Sequence, residues 1–304
     1  MASQSLKNVL VVGAAGNVGR STIKALVQEN FKVTGLTRES STATMPEGVR
    51  HLKTSFSAAS LVDAFKGQDA IVSAISSITP AGALSLQRSL IDAAIATGVK
   101  VFIPSEYGVD TSDRSAPEKI PFLADKINTV DYLKTQQDKI SWTAIITGSM
   151  FDWGFNIPGF GGWNLSARTV TIFDGGDIPY EATNLDQVGR AIAKSLKKPE
   201  LTRNQYVYVN SFTVTQNEIL RALEKSIGEK FTVSQGTAEG LWKGGDAKVK
   251  EGNPFGVLDM IAAAFYGKEG LAHFSVTKGL WNDKLGLSQE NLEEYLESFV
   301  AAKL

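Results

Sequence analysis

The sequence contains no cysteine. That removes disulfides, thiolate metal sites and cysteine nucleophiles. Its two histidines, His51 and His273, stand far apart and make poor material for a zinc site, although carboxylates remain for magnesium; no metal site is expected. No G-x-S-x-G elbow supplies the serine of a hydrolytic triad. No apolar run reaches the length of a membrane span, and the polar start "MASQSLKNVL" lacks a signal-peptide core. A cytoplasmic protein without a membrane partner is therefore expected. The terminal Ala302-Lys303-Leu304 is either a variant of the S-K-L peroxisomal address or a helix that ends that way. Charge of neither sign dominates: 31 Lys+Arg stand against 32 Asp+Glu, a net charge of −1. Without a basic stripe, nucleic acid is not an expected partner. The expected partner is a small molecule, and the chain is read as a monomer or homodimer.

What is present is an alternation. "NVLVVGA", "FKVTGLTR", "VRHLKTSF", "DAIVSAIS", "VKVFIPSEYG" and "ISWTAIITG" read as strands. Between them lie helix-like stretches, including Val18 to Gln28, "SLVDAFKG" with Ser60 as its N-cap, Ala81 to Thr97, and Phe122 to Lys139. Strands separated by helices pair in parallel through right-handed crossovers. The fold class is thus α/β, a Rossmann-type doubly wound parallel sheet with a smaller C-terminal α/β substrate lobe. Residues 1–155 are assigned to the Rossmann domain and 156–304 to the lobe. The helix and strand between Ala182 and Asn210 either return to the main sheet or stay with the lobe. "RTVTIFDGGDIPYEATN" reads as strand, turn, strand.

Gly13, Gly16 and Gly19 stand three apart after the first strand and before a helix. Gly13 permits the turn, Gly16 leaves room for a pyrophosphate, and Gly19 lets the helix pack on the sheet. Amides at the helix start then face the phosphates. Gly13, Ala15, Gly16, Asn17, Val18 and Gly19 are accordingly the expected cofactor-binding residues of the loop. The second strand ends in Thr37-Arg38-Glu39. Arg38 suits a 2′-phosphate and adenine stacking, whereas Glu39 turned inward would suit NAD(H). The cofactor read from Thr37 and Arg38 is NADP(H). Ser76, after the fourth strand, and Ser105, after the fifth, border the same edge as further cofactor contacts or as turn serines.

Short-chain reductases of this plan usually carry Tyr-x-x-x-Lys, but none of the seven tyrosines has lysine four residues on. "VVGAAGNVGR", "LTR", "VFIPSEYGVD" and "PFLADK", in this order, resemble the NmrA-like family. Within it they are most similar to the isoflavone reductase branch, with the plant phenylcoumaran benzylic ether and pinoresinol-lariciresinol reductases. The motifs cover the first half of the chain; the second half is similar only in size and general pattern. Tyr107 stands where plant members tend to have phenylalanine. The resemblance implies an NADPH-dependent reductase of an aromatic or phenolic compound. The branch's lysine beside the nicotinamide matches Lys126, as general acid/base or as a ribose anchor. Leu123 stands three residues before it, where plant members tend to have phenylalanine; Phe122 is one position earlier. The family's sensors, which bind NAD(P) and act through a protein partner, are the alternative.

After the sixth strand stand Phe151, Trp153, Phe155, Phe160 and Trp163. They form either a flat apolar wall for substrate or core packing. Phe151, next to the strand end, is placed near the nicotinamide, with Trp153 beside the substrate. Trp242, Phe255, Phe265 and Phe274 are expected to close the pocket from the lobe.

Overall fold

The computed structural model describes residues 6–76, 83–268 and 271–303. The first half runs β1 (Asn8–Val12), α1 (Asn17–Gln28), β2 (Lys32–Arg38), β3 (Arg50–Thr54), α2 (Ala58–Phe65), β4 (Ala70–Ser73), α3 (Ala83–Ala96), β5 (Val101–Ile103), α4 (Ala116–Lys119), α5 (Leu123–Thr135) and β6 (Ser141–Ile146). With the later strand Gln205–Tyr208 they form a seven-stranded sheet, in the order 205–208, β6, β5, β4, β1, β2, β3. Every pairing in it is parallel. The order reverses where β1 lies between β2 and β4, and that switch point opens a crevice beyond the strand ends.

The period-2 alternation of β1 shows why both faces are covered. Val9 and Val11 pack with Ile23, Leu26, Val188 and Ile192 on one face. Leu10 and Val12 pack with Leu61, Phe65, Leu90 and Val130 on the other. The helix Leu185–Lys197 lies against α1, tied by Lys24–Asp186 at 2.5 Å and Lys194–Glu29 at 2.6 Å. So the segment whose place the sequence left open returns to the main sheet, with its helix on one face and its strand on the edge beside β6. The N-cap of α2 is Ser57, not Ser60: the Ser57 hydroxyl accepts the Ser60 amide at 3.3 Å, starting the helix two residues before the expected cap.

In the lobe, "RTVTIFDGGDIPYEATN" is strand, turn, strand as expected, but its two strands do not pair with each other. Thr169–Phe173 pairs with Thr232–Gly236 and Trp163–Asn164. Tyr180–Thr183 joins a different sheet, with Ser149–Met150 and Phe212–Val214. Asp174, Gly175 and Gly176 all have positive φ, and this left-handed run turns the chain away before the strands can pair. The helices Gln216–Ile227, Ala238–Lys250, Gly256–Tyr266 and, at the chain's end, Leu292–Lys303 build the rest of the lobe. The stretch after Tyr266 runs back to the Rossmann half. The Trp281 amide donates to Tyr208 O at 2.8 Å, and the Asn282 side chain to Asn210 O at 2.9 Å. Gln289 donates to Ser211 O at 2.8 Å, and Glu290 binds Arg190 and Asn184. No helix among the described residues is long and apolar enough to cross a membrane.

A Cβ on Gly189 would overlap the Ser21 carbonyl of α1. Gly189→Ala should lower stability by about 1–3 kcal/mol, the usual cost of overpacking. Urea unfolding checks this, and a loss under ~0.5 kcal/mol would show that the two helices can separate freely.

Candidate functional site

A cleft of about 1320 Å³ opens at the switch point. Its floor is the glycine loop. Gly13 has φ +78°, and a Cβ there would sit 2.5 Å from the Ala74 carbonyl oxygen at the end of β4. A Cβ on Gly19 would overlap Gly13 O. Both glycines are thus required by the protein's own packing. Gly16 is different. Its φ is −76°, and the nearest atom to an added Cβ would be Gly13 O at 3.3 Å. Any residue could stand there with a small adjustment, so the missing side chain leaves space above the loop. Gly16 is also the N-cap of α1 and offers no side-chain cap. The first amides of the helix therefore face the cleft. This is a cradle for a pyrophosphate.

Gly13, Ala15, Gly16, Asn17, Val18, Thr37, Arg38, Ser76, Ser105 and Lys126 all line this one cleft. Gly19 lies behind it as a packing position. Arg38 is exposed at the end of β2, followed along the wall by Glu39, Ser40, Ser41 and Thr42. The Thr37 hydroxyl is shared with His51 Nε2 at 2.8 Å, so Thr37 shapes the wall more than it offers a free donor. The Ser105 hydroxyl donates to Ile75 O at 2.7 Å and pins the loop after β5 to the loop after β4. Ser76 is exposed at the cleft edge; its neighbour Ser77 and the rest of that loop, residues 77–82, lie outside the described residues. Leu304, the last residue of the Ala-Lys-Leu terminus, lies outside them too.

Lys126, in the first turns of α5, reaches the cleft where the loops after β5 and β6 meet. Its ammonium donates to the backbone carbonyl of Glu106. Burial holds its pKa below the ordinary lysine value, and the Glu106 carboxylate opposes that shift. The Glu106 carboxyl is 1% exposed and accepts the Thr111 hydroxyl. Burial raises its pKa against the pull of Lys126. Tyr107 has φ +26°, unusual for a residue with a side chain, and its hydroxyl donates to Ser73 O at 3.1 Å. Glu106 and Tyr107 stand within a sequence motif that by itself assigns them no role. A carboxylate three residues past a parallel strand, on the edge where ligands bind, is the available signal.

The far wall is apolar. Met150, Trp153, Phe160, Leu258, Ile261 and Phe265 line it, with Trp153 and Phe160 edge to face at 5.5 Å. Phe151 does not reach the cleft. It is 4% exposed and packs in the lobe core on Phe155 at 4.8 Å and Phe212 at 5.1 Å. It opens a helix at Phe151–Phe155, which turns its ring inward and carries Trp153 to the wall. Trp163 is likewise core, 5.7 Å from Phe155. Of the rings expected to close the pocket, Phe265 does. Trp242 donates to Lys119 O at 2.5 Å, Phe274 is buried beside Tyr208, and Phe255 is exposed.

The NmrA-like family model matches residues 5–296. The oxidoreductase aprR of Aspergillus flavus is 38% identical over 236 residues, covering 76% of this chain and 77% of its own. The phenylcoumaran benzylic ether reductase IRL1 of Ginkgo biloba is 25% identical over 312 residues, covering 96% and 98%. The likeness therefore runs beyond the first half, where the sequence motifs lie. Among solved structures, AtPrR2 with NADP+ and (+)pinoresinol superposes with a TM-score of 0.75 at 22% identity, covering 98% and 99%.

Gly16→Ala tests the cradle. The variant should melt within ~2 °C of the parent, because the closest neighbour of its Cβ is Gly13 O at 3.3 Å, which needs to give by only a fraction of an ångström. Its affinity for a pyrophosphate-bridged dinucleotide should fall by about tenfold or more, roughly 1.4 kcal/mol, because the added Cβ occupies the space the pyrophosphate needs. Unchanged affinity by fluorescence titration would remove the loop from binding.

Proposed function

This chain belongs to the NmrA-like family, is an oxidoreductase, and from that premise we propose that it uses NADPH to reduce a small aromatic or phenolic compound. The acceptor is a carbonyl, an activated double bond or a benzylic carbon. The observation that carries this reading is the continuity of the cleft. It passes without a break from the glycine loop and Arg38, past Lys126, to the wall of Trp153, Phe160 and Phe265.

The residues present fit the cofactor: Gly16 leaves the space and the amides of α1 the donors for its pyrophosphate. Arg38, with the hydroxyls of Ser40, Ser41 and Thr42 near it, holds a 2′-phosphate. When bound, NADPH supplies the hydride. Hydride addition leaves negative charge on the acceptor's oxygen, or a carbon that needs a proton. Lys126 stabilises that charge and gives the proton from Nζ, acting as general acid. The carbonyl of Glu106 fixes where that ammonium stands. The aromatic wall excludes water and favours a flat, uncharged substrate.

The proton-donating form of Lys126 is complete below its lowered pKa and lost as pH rises through it. The rate should therefore decline on a basic limb centred below the ordinary lysine value of 10.5. Fluorescence titration of NADPH and NADH on the parent and on Lys126→Ala, followed by NADPH oxidation with aromatic ketones, enones and benzylic ethers, is the test. NADPH should bind both proteins within about threefold, and NADH more weakly. Lys126→Ala should lose ~10²–10⁴ in kcat, the span of general acid catalysis. Equal affinity for NADH would sink the assignment of Arg38. Binding without turnover of any compound by the parent would favour the family's sensor role.

A further inference from the structure

Gly154 stands inside the five-residue helix Phe151–Phe155 and is buried. Glycine weakens a helix interior relative to alanine, and the usual reasons for keeping it are missing. Its φ is not positive, so the backbone does not demand it. Nor does another main chain cross it closely. Outside its own helix and chain neighbours, the only described atoms within 4 Å of an added Cβ are two ring carbons of Phe160, Cδ1 and Cε1, both at 3.1 Å. That ring lines the cleft, and Gly154 does not. The missing side chain therefore answers to one wall residue of the substrate end.

Both backbones are held. Asp152 Oδ1 accepts the Trp153 amide at 2.9 Å and the Leu185 amide at 3.0 Å, which ties the short helix to the start of Leu185–Lys197. Phe151 anchors the same helix in the lobe core, against Phe212 and Tyr295. On the other side, the turn at residues 159–162 is closed by its own amides. Gly159 donates to Trp163 O at 2.7 Å, Phe160 to Ile157 O at 3.0 Å, and Gly162 to Gly159 O at 3.1 Å. A Cβ on Gly161 would lie 2.5 Å from the Tyr266 hydroxyl, and one on Gly162 2.5 Å from Thr171 O. The turn is thus seated hard on the helix Gly256–Tyr266 and the strand Thr169–Phe173. What can yield is the Phe160 side chain, by rotation about its own torsions. Its ring lies between Gly154 and the cleft, so a push from position 154 sends it into the cleft.

We propose that Gly154 is a positioning residue that sets substrate specificity: it seats the Phe160 ring back from the cleft and makes room for an aromatic substrate with a branched group on its ring. This deepens the reductase reading and rests on it for its kinetic consequence. A bare flat ring would not need the seat. A branched substituent, standing out of the ring plane beside Phe160, would.

The first measurement needs no ligand. Gly154→Ala should melt at or above the parent, because alanine strengthens the helix and only one side chain must give. Its crystal structure should show the Phe160 ring moved toward the cleft by a few tenths of an ångström, with the helix Phe151–Phe155 in place. A displaced helix, or a Tm lower by more than ~4 °C, overturns the proposal, since either makes Gly154 a packing position only. The second measurement compares acetophenone with 4′-tert-butylacetophenone. Affinity for the NADP+-loaded protein is read by calorimetry, and kcat and KM by NADPH oxidation. Gly154→Ala should disfavour the branched compound by about tenfold relative to acetophenone, the order of one methyl group in an apolar pocket. The loss should fall on Kd and KM, with kcat and NADPH affinity within about twofold. In a Phe160→Val background the ring is gone, and adding Gly154→Ala should change the ratio by less than about twofold. An unchanged ratio in Gly154→Ala, or an equal loss with and without the Phe160 ring, overturns the proposal. Should the parent reduce neither compound, the reductase reading fails, while the ring position and the binding ratio still judge Gly154.

Discussion

At the C-terminal end of β1, three pieces of backbone meet with no room for a side chain. The turn at Gly13 crosses the Ala74 carbonyl, and Gly19 of α1 rests on the Gly13 carbonyl. This crowding sets the height of α1 above the sheet and aims its first amides into the crevice. The loops after β4 and β5 are then fastened to the same edge, through Ser105 to Ile75 and Tyr107 to Ser73. Lys126 inherits its position from that chain of fixings, because the carbonyl it binds belongs to the residue between Ser105 and Tyr107. The geometry of the site is thus a consequence of close packing rather than of flexible side chains finding one another.

The parallel sheet was legible because most of its strands are short apolar runs, and because period 2 and period 3.6 alternate cleanly there. The glycine loop was legible for the same reason: each glycine answers a steric demand that spacing alone announces. The lobe was harder. Its strands are two to five residues long and, apart from Trp163–Asn164 with Thr169–Val170, pair with segments far along the chain. A left-handed run at Asp174–Gly176 looks, in sequence, like any tight turn. Nothing local distinguishes a turn that returns the chain from one that sends it to another sheet.

Aromatic residues showed the same limit within the site. Phe151 and Trp153 are two residues apart, and the sequence placed both near substrate. A five-residue helix separates their directions, sending one ring to the core and the other to the cleft. Glu106 went unassigned because a buried carboxylate leaves no mark on composition or periodicity. It becomes meaningful only when Lys126, twenty positions later, arrives beside it across the sheet edge.

The stretch from Trp281 to Glu290 bears on how such a protein can change over time. After building most of the lobe, the chain comes back and bonds to Tyr208, Asn210, Ser211 and Arg190, all in or next to elements of the first half's sheet. Lobe and sheet are laced together rather than joined by one linker. A new substrate preference cannot be acquired by exchanging the lobe as a cassette, since each graft would have to match several separate seams. Diversity in this architecture has to accumulate one wall residue at a time, at positions such as Trp153, Phe160, Leu258 and Ile261, while the lacing stays put.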